Sequence, residues 1–169
     1  MNLGIYQILI EELEWTPNLV LVDDEQLVLS SLKSFLSLET DYKINTFLSA
    51  IEALDFIEKN DIDLVLSDYL MPEMDGITFL SKVRKFKPEI PRIILTGYAD
   101  KENAIKAINE VGIFQYIEKP WDNDDILIII RNGLEKQRLI KTLQMKIREI
   151  DKANSELDGL QNEIVKAFV

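Results

Sequence analysis

Five short apolar runs recur between residues 19 and 132, and each is followed by a stretch with helical spacing. The runs fall at 19–22, 43–47, 64–67, 92–96 and 114–117. Runs this short and apolar read as strands buried on both faces. Of the stretches between and after them, one puts Val28, Leu32 and Phe35 on one face, another Ile77, Leu80 and Val83, and another Ala104, Ile108 and Val111. Ser49-Ala50-Ile51-Glu52 has the form of a capping box that opens a further helix, and the last helix follows Asp122. Strand and helix repeated five times require a parallel sheet with right-handed crossovers and helices on both faces. The expected class is α/β: a five-stranded parallel sheet of flavodoxin-like order 2-1-3-4-5, followed by a long C-terminal helix. Sites on such sheets lie beyond the carboxyl ends of the strands, at the point where the strand order reverses.

Composition narrows the chemistry. The 169 residues carry a formal net charge of −11, with no basic cluster, so direct nucleic-acid binding is not expected. With no Cys and no His, disulfides, thiolate metal sites and Ser-His-Asp triads are excluded. No apolar run approaches the ~18 residues that span a bilayer, and the acidic start lacks a basic n-region, so a cytoplasmic protein without a membrane role is expected.

The two ends fall outside the βα repeat. Residues 1–18 place Ile5, Leu9 and Leu13 at helical spacing before Pro17, an N-terminal extension of helical character with no visible chemistry. Residues 133–169 contain no strand pattern and no proline. Ile140, Leu143, Ile147, Ile150, Asn154, Leu157, Gln161, Ile164 and Phe168 alternate spacings of three and four, the seam of a coiled coil. One polar residue in a seam, here Asn154, fixes register. The pattern predicts a homodimer through a parallel coiled coil; the other arrangement is a helix folded back on its own domain. The pattern stops in mid-heptad, as in a stalk that leads to an output domain.

The strand ends carry the charges. Asp23 and Asp24 follow the first strand, and Asp68 follows the third. In the expected order those strands are neighbours, so the three carboxylates converge. Thr96 ends the fourth strand and Lys119 follows the fifth. Clustered carboxylates repel unless a cation joins them, and an all-oxygen site suits Mg²⁺, or Mn²⁺. A carboxylate can also act as a nucleophile toward phosphorus, with Lys119 and the metal neutralising phosphoryl charge and Thr96 hydrogen-bonding to it. A haloacid-dehalogenase-type hydrolase is the enzymatic alternative, but VDDEQ lacks the DxDx[TV] spacing of that family.

The segments VLVDDE, SDYLMPEMDG, ILTG and YIEKP, in this order, resemble the receiver domain of two-component response regulators over residues 19–132. The resemblance implies a phosphorylation switch, not an enzyme acting on a separate substrate. It implies Asp68 as phosphoacceptor, and Asp24 as a direct and Asp23 as a water-mediated Mg²⁺ ligand, joined by the main-chain carbonyl of Leu70. It implies that Lys119 contacts the phosphoryl group, that Pro120 follows in a cis peptide bond, and that Tyr116 rotates inward as Thr96 moves. The implied partner is a sensor histidine kinase or a phosphotransfer protein. The implied output is a change in the face formed by the fourth helix, fifth strand and fifth helix, passed to the C-terminal helix.

Overall fold

The computed structural model describes residues 15–97 and 100–168. The expected helix containing Ile5, Leu9 and Leu13 lies outside the described residues. Strands β1 (Asn18–Val22), β2 (Lys43–Phe47), β3 (Leu64–Asp68), β4 (Arg92–Thr96) and β5 (Gln115–Glu118) form one sheet of order β2-β1-β3-β4-β5. Every pairing is parallel. Helices α1 (Gln26–Glu39), α2 (Ala50–Lys59), α3 (Gly76–Phe86), α4 (Lys101–Val111) and α5 (Asn123–Ala167) alternate with the strands. The expected fold is the observed one, with ends displaced by a residue: Asn18 joins β1 and pairs with Lys43, and β5 begins at Gln115 instead of Phe114.

Side-chain alternation along β1 builds two cores. Leu19 and Leu21 point to one side, against Leu29, Leu32 and Leu36 of α1 and Ile126, Ile130 and Leu134 of α5. Val20 and Val22 point to the other, against Ala53 and Ile57 of α2 and Phe79, Leu80 and Val83 of α3. These four side chains of β1 are fully buried. At about 1.5–3 kcal/mol for each such side chain, this strand is fixed in register by burial on both faces.

Two helix starts follow their sequence signals and one departs from it. Asp75 caps α3, accepting from the Thr78 N–H, and Asp122 caps α5, accepting from the Asp124 N–H. The capping box expected at Ser49 is not formed: Ser49 is the N-cap of α2 but its side chain makes no cap hydrogen bond. α2 is held by its apolar face instead, with Ala50, Ala53 and Ile57 buried.

Helix α5 has 45 residues, about 68 Å at 1.5 Å per residue. Packing against the sheet continues past residue 132, through Gly133, Leu134 and Gln137, all buried. Lys141 then pairs with the buried carboxylate of Asp63 and lies over the Trp15 ring. From residue 143 to 168 every side chain is exposed. The seam residues Leu143, Ile147, Ile150, Asn154, Leu157 and Ile164 therefore project from the domain, whereas Ile140 is half-buried against it.

Candidate functional site

Parallel pairing brings the carboxyl ends of all five strands to one edge. Asp23 follows β1, Asp68 ends β3, Thr96 ends β4 and Lys119 follows β5. β1 and β3 are neighbours, and the helices that follow them, α1 and α3, lie on opposite sides of the sheet, so a cleft opens between the two strand ends. Carboxylate oxygens of Asp23, Asp24 and Asp68 lie within 4.8 Å of one another there. Asp23 and Asp68 are buried and Asp24 is exposed.

Lys119 reaches into this cluster. Its Nζ is 2.7 Å from Asp68 Oδ1 and 3.3 Å from Asp23 Oδ2. Main-chain bonds hold the loops that carry these groups: Lys119 N–H donates to Thr96 O, and Tyr69 N–H donates to Leu95 O. Asp23 is also tied to the start of α1, where its Oδ1 accepts from the Glu25 N–H at 2.8 Å. A carboxylate there satisfies one free amide and sits at the positive end of the helix dipole.

The electrostatics are those of a strained acidic pocket. Burial pushes the Asp23 carboxyl above its ordinary value, outweighing the Glu25 amide and the Lys119 ammonium, and Asp68 adds to the rise. Burial alone would pull Lys119 down, but its hydrogen bond to Asp68 and the fields of Asp23 and Asp68 hold its pKa above the ordinary value. Lys119 is thus a fixed positive charge at neutral pH.

A stability prediction follows from Asp23. Its folded pKa is raised, so the folded state holds the proton more tightly than the unfolded chain does. The ionised group therefore opposes folding above the raised pKa, and the penalty is relieved as pH falls toward the unfolded value of 3.8. Asp23→Asn keeps an oxygen for the Glu25 amide and removes the buried charge. In metal-free buffer at pH 7 this variant is expected to melt at a higher temperature than the parent. A lower melting temperature would show that the Lys119 pairing outweighs the burial cost.

The remaining sequence-predicted residues sit around this cluster. Thr96 is fully buried and its hydroxyl donates to Gly97 O at 3.1 Å. The Lys119–Pro120 peptide bond is cis. Tyr116 is half-buried and lines a cavity of about 430 Å³ with Lys119, Pro120, Trp121 and Ile128. Leu70, two residues past Asp68, has an exposed side chain. The three clustered carboxylates, two of them buried and only partly neutralised by one ammonium, fit a hard divalent cation.

One residue of the site was missed in the sequence reading. A Cβ on Gly76 would lie 3.0 Å from the carbonyl carbon of Asp68 and 3.1 Å from Tyr69 Cα, with the Asp68 carbonyl oxygen nearer still. Gly76 thus lets the start of α3 press against the main chain of Asp68, and its N–H donates to Tyr69 O at 2.8 Å. The signal was the DG pair seven and eight residues after Asp68, which marked only a helix start.

Known proteins share this arrangement. Residues 19–131 match the sequence model of the response regulator receiver domain. The hydrogenase transcriptional regulatory protein HoxA of Cupriavidus necator is 38% identical over 120 residues, covering 71% of this chain and 24% of that protein. A response regulator of Synechocystis is 31% identical over 150 residues, covering 87% of this chain and 64% of that protein. The chain spans about a quarter of the hydrogenase and C4-dicarboxylate transport regulators it matches. Among solved structures, the signal receiver domain of an HD domain-containing protein from Pseudomonas fluorescens superposes with TM-score 0.70 at 35% identity, covering 75% of this chain and 93% of that one. Fold, sequence match and relatives agree, and the chain belongs to the response regulator receiver domain family of two-component systems.

Proposed function

We propose that this chain is a phosphorylation-dependent switch in which Asp68 accepts a phosphoryl group from a sensor histidine kinase or a phosphotransfer protein. The observation that carries the reading is the contact of Lys119 Nζ with both Asp68 and Asp23, within a group of three convergent carboxylates. An Asp68 carboxylate oxygen attacks phosphorus, and the bond from phosphorus to the donor's leaving atom breaks. Lys119 then exchanges its hydrogen bond with Asp68 for one with a phosphoryl oxygen. Asp24 directly, Asp23 through water, Asp68 and the Leu70 carbonyl would hold Mg²⁺ or Mn²⁺, which when bound supplies further neutralisation of the phosphoryl charge. The site itself promotes the transfer and the later hydrolysis, and turns over no separate substrate.

The added charge favours a state with Thr96 drawn toward the phosphoryl group and Tyr116 turned inward. That changes the α4–β5–α5 face and, through α5, a homodimeric stalk or an output domain. The domain division that goes with this reading is an N-terminal extension at 1–18, the receiver at 19–132 and a signalling helix at 133–169. No described helix is long and apolar enough to cross a membrane, which agrees with action in the cytoplasm.

The test is incubation with acetyl phosphate and Mg²⁺ followed by intact mass. One phosphate is expected on the parent and none on Asp68→Ala or on the parent in excess chelator. Mg²⁺ alone is expected to raise the melting temperature, in line with its preference for the folded state, and Asp24→Asn to blunt the rise. A phosphate that persists on Asp68→Ala would rule out the assignment.

A further inference from the structure

The free part of α5 carries two apolar seams that share one column. Leu143, Ile150, Leu157 and Ile164 form the shared column. On one side of it run Ile140, Ile147, Asn154, Gln161 and Phe168; on the other run Leu139, Lys146, Ala153, Leu160 and Ala167. Either side completes the alternating spacing of a coiled coil. At 3.6 residues per turn, the centres of the two seams differ by roughly 50° about the helix axis. Each carries a polar cost. The first buries the amides of Asn154 and Gln161, and the second buries Lys146 and has only alanine at 153 and 167.

We propose that the stalk pairs with a second copy of this chain, parallel and in register, through either seam, and that the receiver selects between them by holding or releasing Ile140. The proposal rests on the dimeric reading above. A second copy is the occupant because the apolar column at 143, 150, 157 and 164 meets its own copy in either seam, and the first seam adds matching charges across the pair. In the first seam, Lys146 flanks the core and faces Asp151 of the second copy, an opposite-charge pair. In the second seam Lys146 faces Lys146 of the second copy, a like-charge contact that Glu149 of each helix offsets through the 3.1 Å pair seen in the structure, so this seam is the weaker of the two. In-register parallel pairing also sets Asn154 against Asn154 and Gln161 against Gln161, so the amides satisfy one another; an antiparallel pair sets them against leucine and isoleucine.

The junction shows which seam is open at rest. Ile140 is half-buried and lines a cavity of about 480 Å³ with Ile108, Gly112, Ile113, Phe114 and Pro91. Next to it, Lys141 is bound to buried Asp63. The first seam is therefore blocked at its upper end by the chain's own domain. Leu139 is 59% exposed, and Ile128, on the same outer side of α5, is 54% exposed, so the second seam is open along its length. The wall against Ile140 is built by residues 88–92, which lead into β4, and by Ile108 of α4 with the α4–β5 connection at 112–114; the second part belongs to the face that Thr96 and Tyr116 would move. A shift there releases Ile140 and admits the first seam.

The chain has no cysteine, so single-cysteine variants of the full chain read the seam directly. Leu157→Cys probes the shared column, Ala153→Cys the second seam and Asn154→Cys the first. Mild oxidation with Mg²⁺, with and without beryllofluoride, is followed by non-reducing electrophoresis; light scattering of the parent gives the mass. Beryllofluoride binding is checked by its effect on melting temperature, absent in Asp68→Ala. Leu157→Cys is expected to cross-link in both states. Ala153→Cys should cross-link faster than Asn154→Cys at rest, and beryllofluoride should shift the ratio toward Asn154→Cys by about fivefold or more. A Leu157→Cys cross-link with an unchanged ratio, or a shift toward Ala153→Cys, overturns the two-seam proposal and leaves the dimer standing. A mass of two copies without that cross-link shows an antiparallel pair and overturns it too. A mass of one copy overturns both readings, and absence of beryllofluoride binding removes the switch reading and the proposal with it.

Discussion

Gly76→Ala is expected to destabilise the protein by about 3 kcal/mol or more, a fall of roughly 10 °C in melting temperature, and to slow phosphorylation of Asp68. The reason is space and not backbone freedom, because Gly76 is not among the residues of positive φ; among the described residues those are Glu73 and Gly112. The three atoms nearest the added methyl are all main-chain atoms, of Asp68 and Tyr69. Main chain at a strand end cannot swing aside as a flexible side chain can. Either α3 moves away from β3, loosening Phe79, Leu80 and Val83 in the core, or the end of β3 moves and takes the Asp68 carboxylate with it. Both are costly, and both disturb the link between Gly76 N–H and Tyr69 O. Thermal melting and intact mass after acetyl phosphate would be measured side by side. A variant that melts within a degree or two of the parent would mean that the loop at 69–75 absorbs the methyl, and the argument from close approach would be wrong.

What the sequence made legible follows from what each signal depends on. Strands were readable because a strand buried on both faces must be apolar throughout, as 19–22 is. Convergence of Asp23, Asp68 and Lys119 was readable because a parallel sheet sends all carboxyl ends to one edge, so topology alone brings distant residues together. Ser49 failed as a cap because a capping box is a local preference of about 1 kcal/mol, and α2 is fixed by buried Ala50, Ala53 and Ile57 instead. The apolar Phe114 reads as strand, yet β5 begins after it, because its side chain packs on the first core from the connection between α4 and β5. Ile140 was counted as the head of the seam by spacing. Spacing gives the face of a helix but not which neighbour that face meets, and here its neighbour is the chain's own domain. Arg92 shows the same limit. Within an apolar run it reads as an intruder in a strand, but its guanidinium donates to the carbonyls of Lys87, Pro88 and Gly112 and so joins the ends of α3 and α4.

Lys119→Met is expected to slow phosphoryl transfer from acetyl phosphate to Asp68 by roughly 10²-fold, the usual effect of removing one preorganised donor from a site where charge develops. In the resting pocket Lys119 is the cation that touches both buried carboxylates, and its charge is held by them. As the phosphoryl group arrives, negative charge accumulates on its oxygens, and a compact ammonium already fixed at the nucleophile meets it without a search. Methionine keeps the aliphatic stem and loses the charge. The same change leaves Asp23 and Asp68 facing each other unneutralised, so the metal-free variant should melt at a lower temperature than the parent. Its rise in melting temperature on adding Mg²⁺ should be at least as large, because the metal no longer competes with an ammonium. That pairing separates the role of Lys119 from metal binding: a slow variant with an intact Mg²⁺ response has lost charge stabilisation at the phosphoryl group, while a slow variant with no Mg²⁺ response has lost the site's geometry. Phosphorylation at the parent's rate would mean that the contact with Asp68 is a resting-state salt bridge with no part in the transfer.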